Sequence, residues 1–136
     1  MRVKISTREE YEMCRSRGIE PLTHRSFEID HKLRVRLQKE FFGKNDAEGN
    51  EKFYKFCLAT KTMVCEECGK PILHPGAVNV SHILTRGAHP DLAHDPRNIN
   101  ILCFAHHQQW ENGDRKSMRI YPINERKINK LKKEYQ

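Results

Sequence analysis

Apolar and polar positions in the first 62 residues follow an amphipathic helical pattern. Apolar side chains recur close to helical spacing in three stretches, which predict helices over about 8–17, 26–42 and 51–60. Thr7 and Glu10 have the spacing of a capping box, and Gly18 is typical of a helix end. Residues 43–50, rich in Gly, Asn and Asp, predict a loop. We therefore expect a helical N-terminal segment whose many charges are solvated.

The pattern changes in the middle of the chain. Apolar residues alternate with polar ones from Val78 to Ile83, which predicts a short strand. A loop over 86–96, a strand-like segment over 98–102 and a helix over 103–111 follow, with Trp110 expected in the core. Pro122 suits the first turn of a C-terminal helix. The chain is therefore predicted to be α+β and one compact unit, with segments 1–62, 63–113 and 114–136.

Charge divides the chain in a similar way. Twenty-five Lys and Arg against eighteen Asp and Glu give a net charge of +7. Residues 1–64 carry +4, residues 65–113 carry −2 and residues 114–136 carry +5. Two basic flanks around an acidic middle favour a nucleic-acid partner. Lys127 and Lys130 are candidate phosphate contacts on the terminal helix, and a merely solvated helix is the alternative.

The hydropathy of the chain predicts a protein that does not enter a membrane. No apolar run approaches the roughly 20 residues of a membrane span. The first twelve residues turn acidic before any apolar stretch develops, unlike a secretory signal. We therefore expect a soluble, cytoplasmic protein.

Cysteine and histidine spacing predicts a structural zinc site. Cys65 and Cys68 are separated by two residues, as are Cys103 and His106, so the chain offers a Cys3His ligand set. Five cysteines, an odd number, without an export signal favour reduced thiols over a disulfide framework. Cys14 and Cys57 have no partner at ligand spacing, and we expect both to be ordinary buried thiols.

The residues around these ligands resemble the HNH endonuclease family. The resemblance covers about residues 63–112 and rests on motifs in a particular order: Cys65-x2-Cys68, Ser81-His82-Ile83, Asn98 before Ile101-Leu102-Cys103, and His106-His107. It implies a small ββα-metal core pinned by the zinc ligands. It also implies that His107 binds a catalytic divalent cation such as Mg²⁺, Mn²⁺, Ni²⁺ or Zn²⁺.

The remaining site residues are assigned from their chemistry. His82 is the candidate general base for phosphodiester hydrolysis, because an imidazole ionises near neutral pH. Asn98 either supports the loop that aims His82 or contacts the catalytic metal. Arg86 is a candidate phosphate clamp or a solvated loop residue.

Position 81 departs from the family pattern. Asp or His usually precedes the catalytic histidine there, whereas Ser81 offers only a neutral hydroxyl, which is a weak metal ligand. Either Ser81 contributes little, or a loop histidine such as His89 or His94 replaces it, or activity has been lost.

Together these features favour a metal-dependent, HNH-type endonuclease that hydrolyses DNA, of the kind the resemblance associates with bacteria or phages. A catalytically weak or inactive, zinc-stabilised nucleic-acid-binding module is the first alternative. A protein-interaction zinc domain is the second.

Overall fold

The computed structural model describes residues 2–5, 8–18 and 27–136, which mix α-helices with two small antiparallel sheets. The predicted α+β class is confirmed as a mixture of helices and small antiparallel sheets. The elements, in chain order, are β1 (Arg2–Ile5), α1 (Arg8–Ser16), β2 (Phe27–Asp30), α2 (His31–Phe42), α3 (Ala47–Thr60), β3 (Val80–His82), β4 (Ile99–Ile101), α4 (Phe104–Asn112) and α5 (Tyr121–Glu134). Four single-turn 3-10 helices lie between them, at Ala77–Asn79, Pro90–Leu92, Pro96–Asn98 and Arg115–Ser117. None of the helices in this described part is long and apolar enough to cross a bilayer.

The first sheet corrects the predicted helix over 26–42. Residues 27–30 form β2, which pairs antiparallel with β1, and α2 begins only at His31. Asp30 ends the strand and caps the helix by accepting a hydrogen bond from the Lys32 backbone N–H at 2.9 Å. Phe27 and Ile29 also fit the two-residue period of a strand. Pairing with the distant strand β1 favours the two-residue period of a strand over the helical period at these positions. Ser26 and Thr7, and with Thr7 the predicted capping box, lie outside the described residues.

Helix α3 begins four residues earlier than the sequence pattern predicts. Asp46 caps it by accepting a hydrogen bond from the Gly49 N–H at 2.9 Å. A Cβ at Gly49 would lie 1.9 Å from the Lys44 carbonyl oxygen, so this glycine allows the loop before the helix to approach its first turn closely. The loop predicted over 43–50 is therefore wrong from residue 47 onward.

The other predicted elements are close to their expected positions. Helices α1, α4 and α5 are confirmed, and Gly18 has the left-handed φ of +72° expected at a helix end. Strand β3 is shorter than predicted, because Val78 lies in the preceding 3-10 turn and is exposed.

Two apolar clusters form the core of the part of the chain that the structure describes. The larger cluster includes Phe42 and Phe53 of the N-terminal helices together with Val80, Ile99 and Ile101 of the second sheet. The smaller cluster surrounds Trp110, whose predicted core position is confirmed, and includes the following residues: Cys65, Ile83, Leu102, Met118 and Ile120. Because the second sheet contributes to the larger cluster, the N-terminal helices pack directly against it.

Cys14 and Cys57 are both buried in the larger cluster, as the sequence predicts. Burial, with a smaller contribution from the nearby Glu10 carboxylate, raises the pKa of Cys14 to about 11. The Cys14 thiol is therefore protonated at neutral pH and is a poor metal ligand.

A buried cluster of charges joins four distant parts of the chain, contrary to the expectation that the N-terminal charges are solvated. Arg97 lies 2.8 Å from both Asp95 and Glu134, and Arg34 lies 3.0 Å from Glu134. Glu10 approaches both guanidinium groups, at 3.8 and 4.0 Å. Arg34 is only 1% exposed. Helices α1, α2 and α5 are thereby tied to the segment that precedes β4.

The ionised form of Asp95 is strongly favoured within this charge cluster. Burial alone would raise the pKa of Asp95, but the charge and hydrogen bonds of Arg97 hold it well below its usual range. Tyr135 also donates a hydrogen bond to Asp95, at 2.7 Å. Removing one member would leave its partners buried without compensation, which is costly.

We expect the replacement Arg97→Met to lower the free energy of unfolding by about 3–5 kcal/mol, because Asp95 would remain buried without the guanidinium that pairs with it. Urea denaturation at neutral pH measures the loss. Arg15→Met is the matched control, since Arg15 is 62% exposed and pairs with Glu12 on the surface; it should cost no more than about 1 kcal/mol. Equal losses in the two variants would contradict a structural role for the buried cluster.

Candidate metal centre and adjoining cleft

The four predicted zinc ligands lie together. The ligand atoms of Cys65, Cys68, Cys103 and His106 are all within 4.8 Å of one another. His106 Nδ1 is 3.2 Å from Cys103 Sγ and 3.6 Å from Cys65 Sγ. A tetrahedral zinc ion with normal bond lengths separates its sulfur and nitrogen ligands by about 3.6 Å. The Cys3His cluster is therefore compatible with a zinc site.

Local backbone geometry explains why the ligands converge. The first two cysteines lie in a turn closed by a 2.8 Å hydrogen bond from the Gly69 N–H to the Cys65 carbonyl, and Gly69 has a left-handed φ of +75°. Cys103 is the residue that caps α4, and His106 follows in the first turn of this helix. Burial would raise the pKa of Cys65, but surrounding backbone N–H groups and His106 lower it to about 6.

The two residues between the first ligand pair hold the turn to the rest of the protein. Glu66 accepts hydrogen bonds from the Asn100 side chain and the Ile101 N–H. Glu67 accepts hydrogen bonds from the backbone N–H groups of Arg119, at 2.9 Å, and Ile120, at 3.0 Å. The candidate metal centre is thus tied to β4 on one side and to the start of α5 on the other.

A cleft of about 640 Å³ lies beside this centre, and it contains both His82 and His107. Helix α3, strand β3, the loop after β3 and helix α4 form its walls. The residues that line this cleft are Asn45, Asn50, Tyr54, Ala77, Val78, Val80, His82, Thr85, Arg86, Gly87, His107 and Glu111. The two predicted catalytic histidines therefore face one shared space.

His82 is held in one orientation at the end of β3. Its Nε2 lies 2.8 Å from the Ala93 carbonyl oxygen, which can only accept, so Nε2 carries the proton and donates. The lone pair of the neutral ring is then on Nδ1, which has no hydrogen-bond partner in the described part of the chain. Burial lowers the pKa of His82 to about 4, and the charge of Arg86 acts in the same direction. The ring is neutral at pH 7.

His107 and Glu111 face each other one turn apart on α4. His107 Nδ1 donates a hydrogen bond to the Val78 carbonyl, which leaves the lone pair of the neutral ring on Nε2. This Nε2 is 3.2 Å from the Glu111 carboxylate. Two acceptors this close need a proton or a cation between them. The pair can therefore act as two ligands of a divalent cation.

Asn98 is a support residue in this structure. Its side chain is completely buried and accepts a hydrogen bond from the Leu84 N–H at 2.8 Å. Its amide donates to the carbonyls of Leu84, at 2.9 Å, and Leu92, at 3.2 Å. These contacts hold Leu84 and Leu92, and Leu92 directly precedes Ala93, whose carbonyl orients His82. Asn98 does not line the cleft.

Neither Ser81 nor the loop histidines line the cleft. Ser81 is completely buried, and it is paired with Asn100 in the strand register. His94 packs against Phe53 and lies 2.8 Å from Asn50 Oδ1, so it is a core residue. His89 precedes a 3-10 turn outside the cleft. The expectation that Ser81, His89 or Asn98 supplies a catalytic-metal ligand finds no support in this arrangement.

The predicted basic contacts occupy two different places. Arg86 is exposed at the rim of the cleft, with its guanidinium 5.7 Å from the centre of the Tyr54 ring. Lys127 and Lys130 lie on α5, where they line a separate pocket of about 230 Å³ together with Lys61. Of the three predicted phosphate contacts, only Arg86 therefore lines the cleft.

Sequence reasoning missed two kinds of cleft residue. Glu111 was detectable, because it lies four residues after His107 in a predicted helix and must share its face. Asn45, Asn50 and Tyr54 belong to the N-terminal segment, and no local pattern indicates that α3 forms one wall of the cleft.

We expect the purified protein to contain one zinc ion per chain, and Cys68→Ser to lose it, because a closed tetrahedral site needs all four ligands. Elemental analysis measures the metal, and the absorption spectrum of the Co²⁺-substituted protein reports its thiolate ligands. Cys14→Ala removes a cysteine outside the ligand set and should retain full zinc content. Full zinc content in Cys68→Ser would exclude the assigned site.

Folding stability should depend on His82 at acidic pH. The folded-state pKa is lowered from 6.5 to about 4, so its contribution is present above pH 6.5 and is lost as pH falls toward 4. His82→Gln should therefore lose less stability than wild type between pH 6.5 and 4.5, by about 2–3 kcal/mol. Urea denaturation across this range measures the difference. The exposed His74, replaced by Gln, is the control and should follow wild type; a His82→Gln curve parallel to wild type would contradict the burial effect.

Comparisons with known proteins add no identification. No family model matches the chain, and neither curated proteins nor solved structures include a match to it. The resemblance to HNH endonucleases therefore stays a prediction that rests on the motifs named above.

Proposed function

We propose that this protein is a metal-dependent, HNH-type endonuclease that hydrolyses phosphodiester bonds in DNA. The observation that carries the proposal is that His82 and His107, 25 positions apart, line one cleft together with Glu111. Shared placement of a base and a candidate cation site is what this hydrolysis requires, because both must act on the same phosphate.

The orientation of His82 supports its role as general base. With the proton held on Nε2 by the Ala93 carbonyl, Nδ1 is available to take a proton from a water molecule. That water forms a new bond to phosphorus, and the bond from phosphorus to the 3′ oxygen breaks. The leaving oxygen keeps the bonding electron pair and takes a proton from solvent. The ring is always in its basic form at pH 7, although its low pKa makes it a weaker base than a solvated histidine.

His107 and Glu111 would hold the catalytic cation. A divalent ion bound there supplies charge stabilisation to the phosphate and the leaving oxygen. The Val78 carbonyl orients the His107 ring, as outer hydrogen-bond partners do in metal sites. The Glu111 carboxylate would provide the negatively charged ligand for the cation that Ser81 cannot provide.

The local architecture is consistent with the family's ββα-metal core. Strands β3 and β4 and helix α4 follow one another in that order, with the Cys3His cluster at the start of α4. Because adjacent helical residues point about 100° apart, His106 belongs to the cluster while His107 enters the cleft. A zinc ion at the cluster would therefore hold α4 in the orientation that the cleft needs.

The distribution of basic residues favours DNA as the substrate. Arg86 at the rim can contact the phosphate that enters the cleft, and the lysines of α5 can contact the backbone elsewhere. A binding-only module is the second candidate, and the burial of Ser81 favours it because position 81 then offers no cation ligand.

Purified protein with Mg²⁺, Mn²⁺ or Ni²⁺ should nick or linearise plasmid DNA, and EDTA should stop the reaction. His82→Ala should slow cleavage by roughly 100- to 10,000-fold, the usual contribution of a general base, while DNA binding and zinc content are unchanged. Gel analysis of plasmid topology measures the rate. His74→Ala, at an exposed histidine outside the cleft, should cut like wild type.

Glu111→Gln should raise the metal concentration needed for half-maximal cleavage at least tenfold, because it removes the charged ligand beside His107. Cleavage by His82→Ala at the wild-type rate would exclude the assigned base. DNA binding without cleavage in any of the three metals would favour the binding-only module.

A further inference from the structure

A second cavity opens beside the cleft. It has a volume of about 400 Å³, within the range of small-molecule sites, roughly 300–1,000 Å³. It shares four lining residues with the cleft, namely Asn50, Tyr54, Ala77 and Arg86. The remaining lining residues come from α3: Ala47, Glu51, Lys55 and Leu58. The two cavities therefore form one continuous groove, and Tyr54 and Arg86 stand between them.

Tyr54 is an aromatic platform held in place by its neighbours. Its ring centre is 6.1 Å from that of His82 in an edge-on arrangement, and 6.3 Å from that of Phe53. Arg86 covers it at 5.7 Å, and the Arg86 carbonyl accepts a hydrogen bond from Asn45. Tyr54 therefore lies next to both the candidate base and the candidate phosphate clamp, where a nucleotide beside the reacting phosphate would lie.

The charge and polarity of the second cavity suit a nucleobase attached to a phosphate. Its side chains are largely apolar toward α3, through Ala47 and Leu58. The opposite charges of Glu51 and Lys55 are paired at 3.0 Å. The positive charge of Arg86 is therefore the net charge of the residues that line this cavity. The flat face of a nucleobase against the Tyr54 ring, on the side opposite the guanidinium, and a phosphate beside that guanidinium would satisfy both parts.

The geometry of a DNA duplex determines whether a paired or an unpaired nucleobase can enter this cavity. In a continuous duplex the bases are stacked inside the helix and cannot enter a side cavity next to their own phosphate. A base reaches such a cavity only when it is unpaired or turned out of the stack, and extrusion is cheapest where pairing is already lost.

We propose that the cavity between Tyr54 and Leu58 binds an unpaired nucleobase adjacent to the scissile phosphate, so that the preferred substrate is DNA with an unpaired nucleotide at the cleavage site. This inference rests on the proposed nuclease function, and it specifies the class of substrate that the cleft would bind.

The test compares three matched DNA duplexes, which carry no bulge, a one-nucleotide adenine bulge, or an abasic bulge at the same position. Wild type should cleave next to the adenine bulge at least tenfold faster than the matched duplex, and the abasic bulge should lose that advantage. A tenfold preference corresponds to about 1.4 kcal/mol, which lies within the range that stacking of one base on an aromatic ring contributes.

Two variants separate the base site from general damage to the cleft. Tyr54→Phe should retain the ratio of bulge to duplex cleavage, and Tyr54→Leu should lose it. Ala47→Trp should fill the cavity from an exposed position and abolish the ratio while duplex cleavage continues. Zinc content and melting temperature confirm that each variant is folded.

A binding assay makes failure of this inference distinguishable from failure of the nuclease proposal. A single-stranded oligonucleotide with one 2-aminopurine should change its fluorescence on binding wild type and Tyr54→Phe, but not Tyr54→Leu or Ala47→Trp. This pattern without any cleavage would support the base site and overturn the nuclease function. Equal cleavage of all three duplexes, with fluorescence changes unaffected by the variants, would overturn the base site alone.

Discussion

The buried pairing of Arg97 with Asp95 and Glu134 is the constraint on which the rest of this structure depends. Opposite charges that leave water must meet with good geometry, because each unpaired one costs several kcal/mol. Arg34 and Glu10 complete the cluster from the N-terminal helices. Four segments that are far apart in the chain can therefore adopt only arrangements that bring these groups together.

This constraint reaches the cleft through a short series of contacts. Arg97 is held in the segment before β4, and Asn98 follows it and clamps the loop through Leu84 and Leu92. Ala93 directly follows Leu92, and its carbonyl accepts the Nε2 hydrogen of His82. The orientation of the candidate base is thus determined by a charge cluster in which it takes no part.

Helix α4 connects the candidate metal centre with the cleft. Cys103 and His106, at its start, belong to the candidate metal centre, while His107 and Glu111 face the cleft on a different side of the helix. Anchoring one end of a helix by metal ligands fixes its rotation, and rotation decides which side chains enter the cleft. Glu66 and Glu67 extend this anchor to β4 and α5.

The sequence by itself determined what depends on short-range spacing. The clustering of the Cys3His set, the placement of His106 in that cluster and of His107 on another side of the helix, and helices α1, α4 and α5 follow from separations of a few residues, which helix and turn geometry converts directly into positions in space. Only the tertiary structure decided the rest. Pairing with β1 turned residues 27–30 into a strand, burial placed Ser81 and His94 outside the cleft, and packing of α3 brought Tyr54 to the cleft. Burial and long-range pairing depend on residues tens of positions away, so no local pattern contains them.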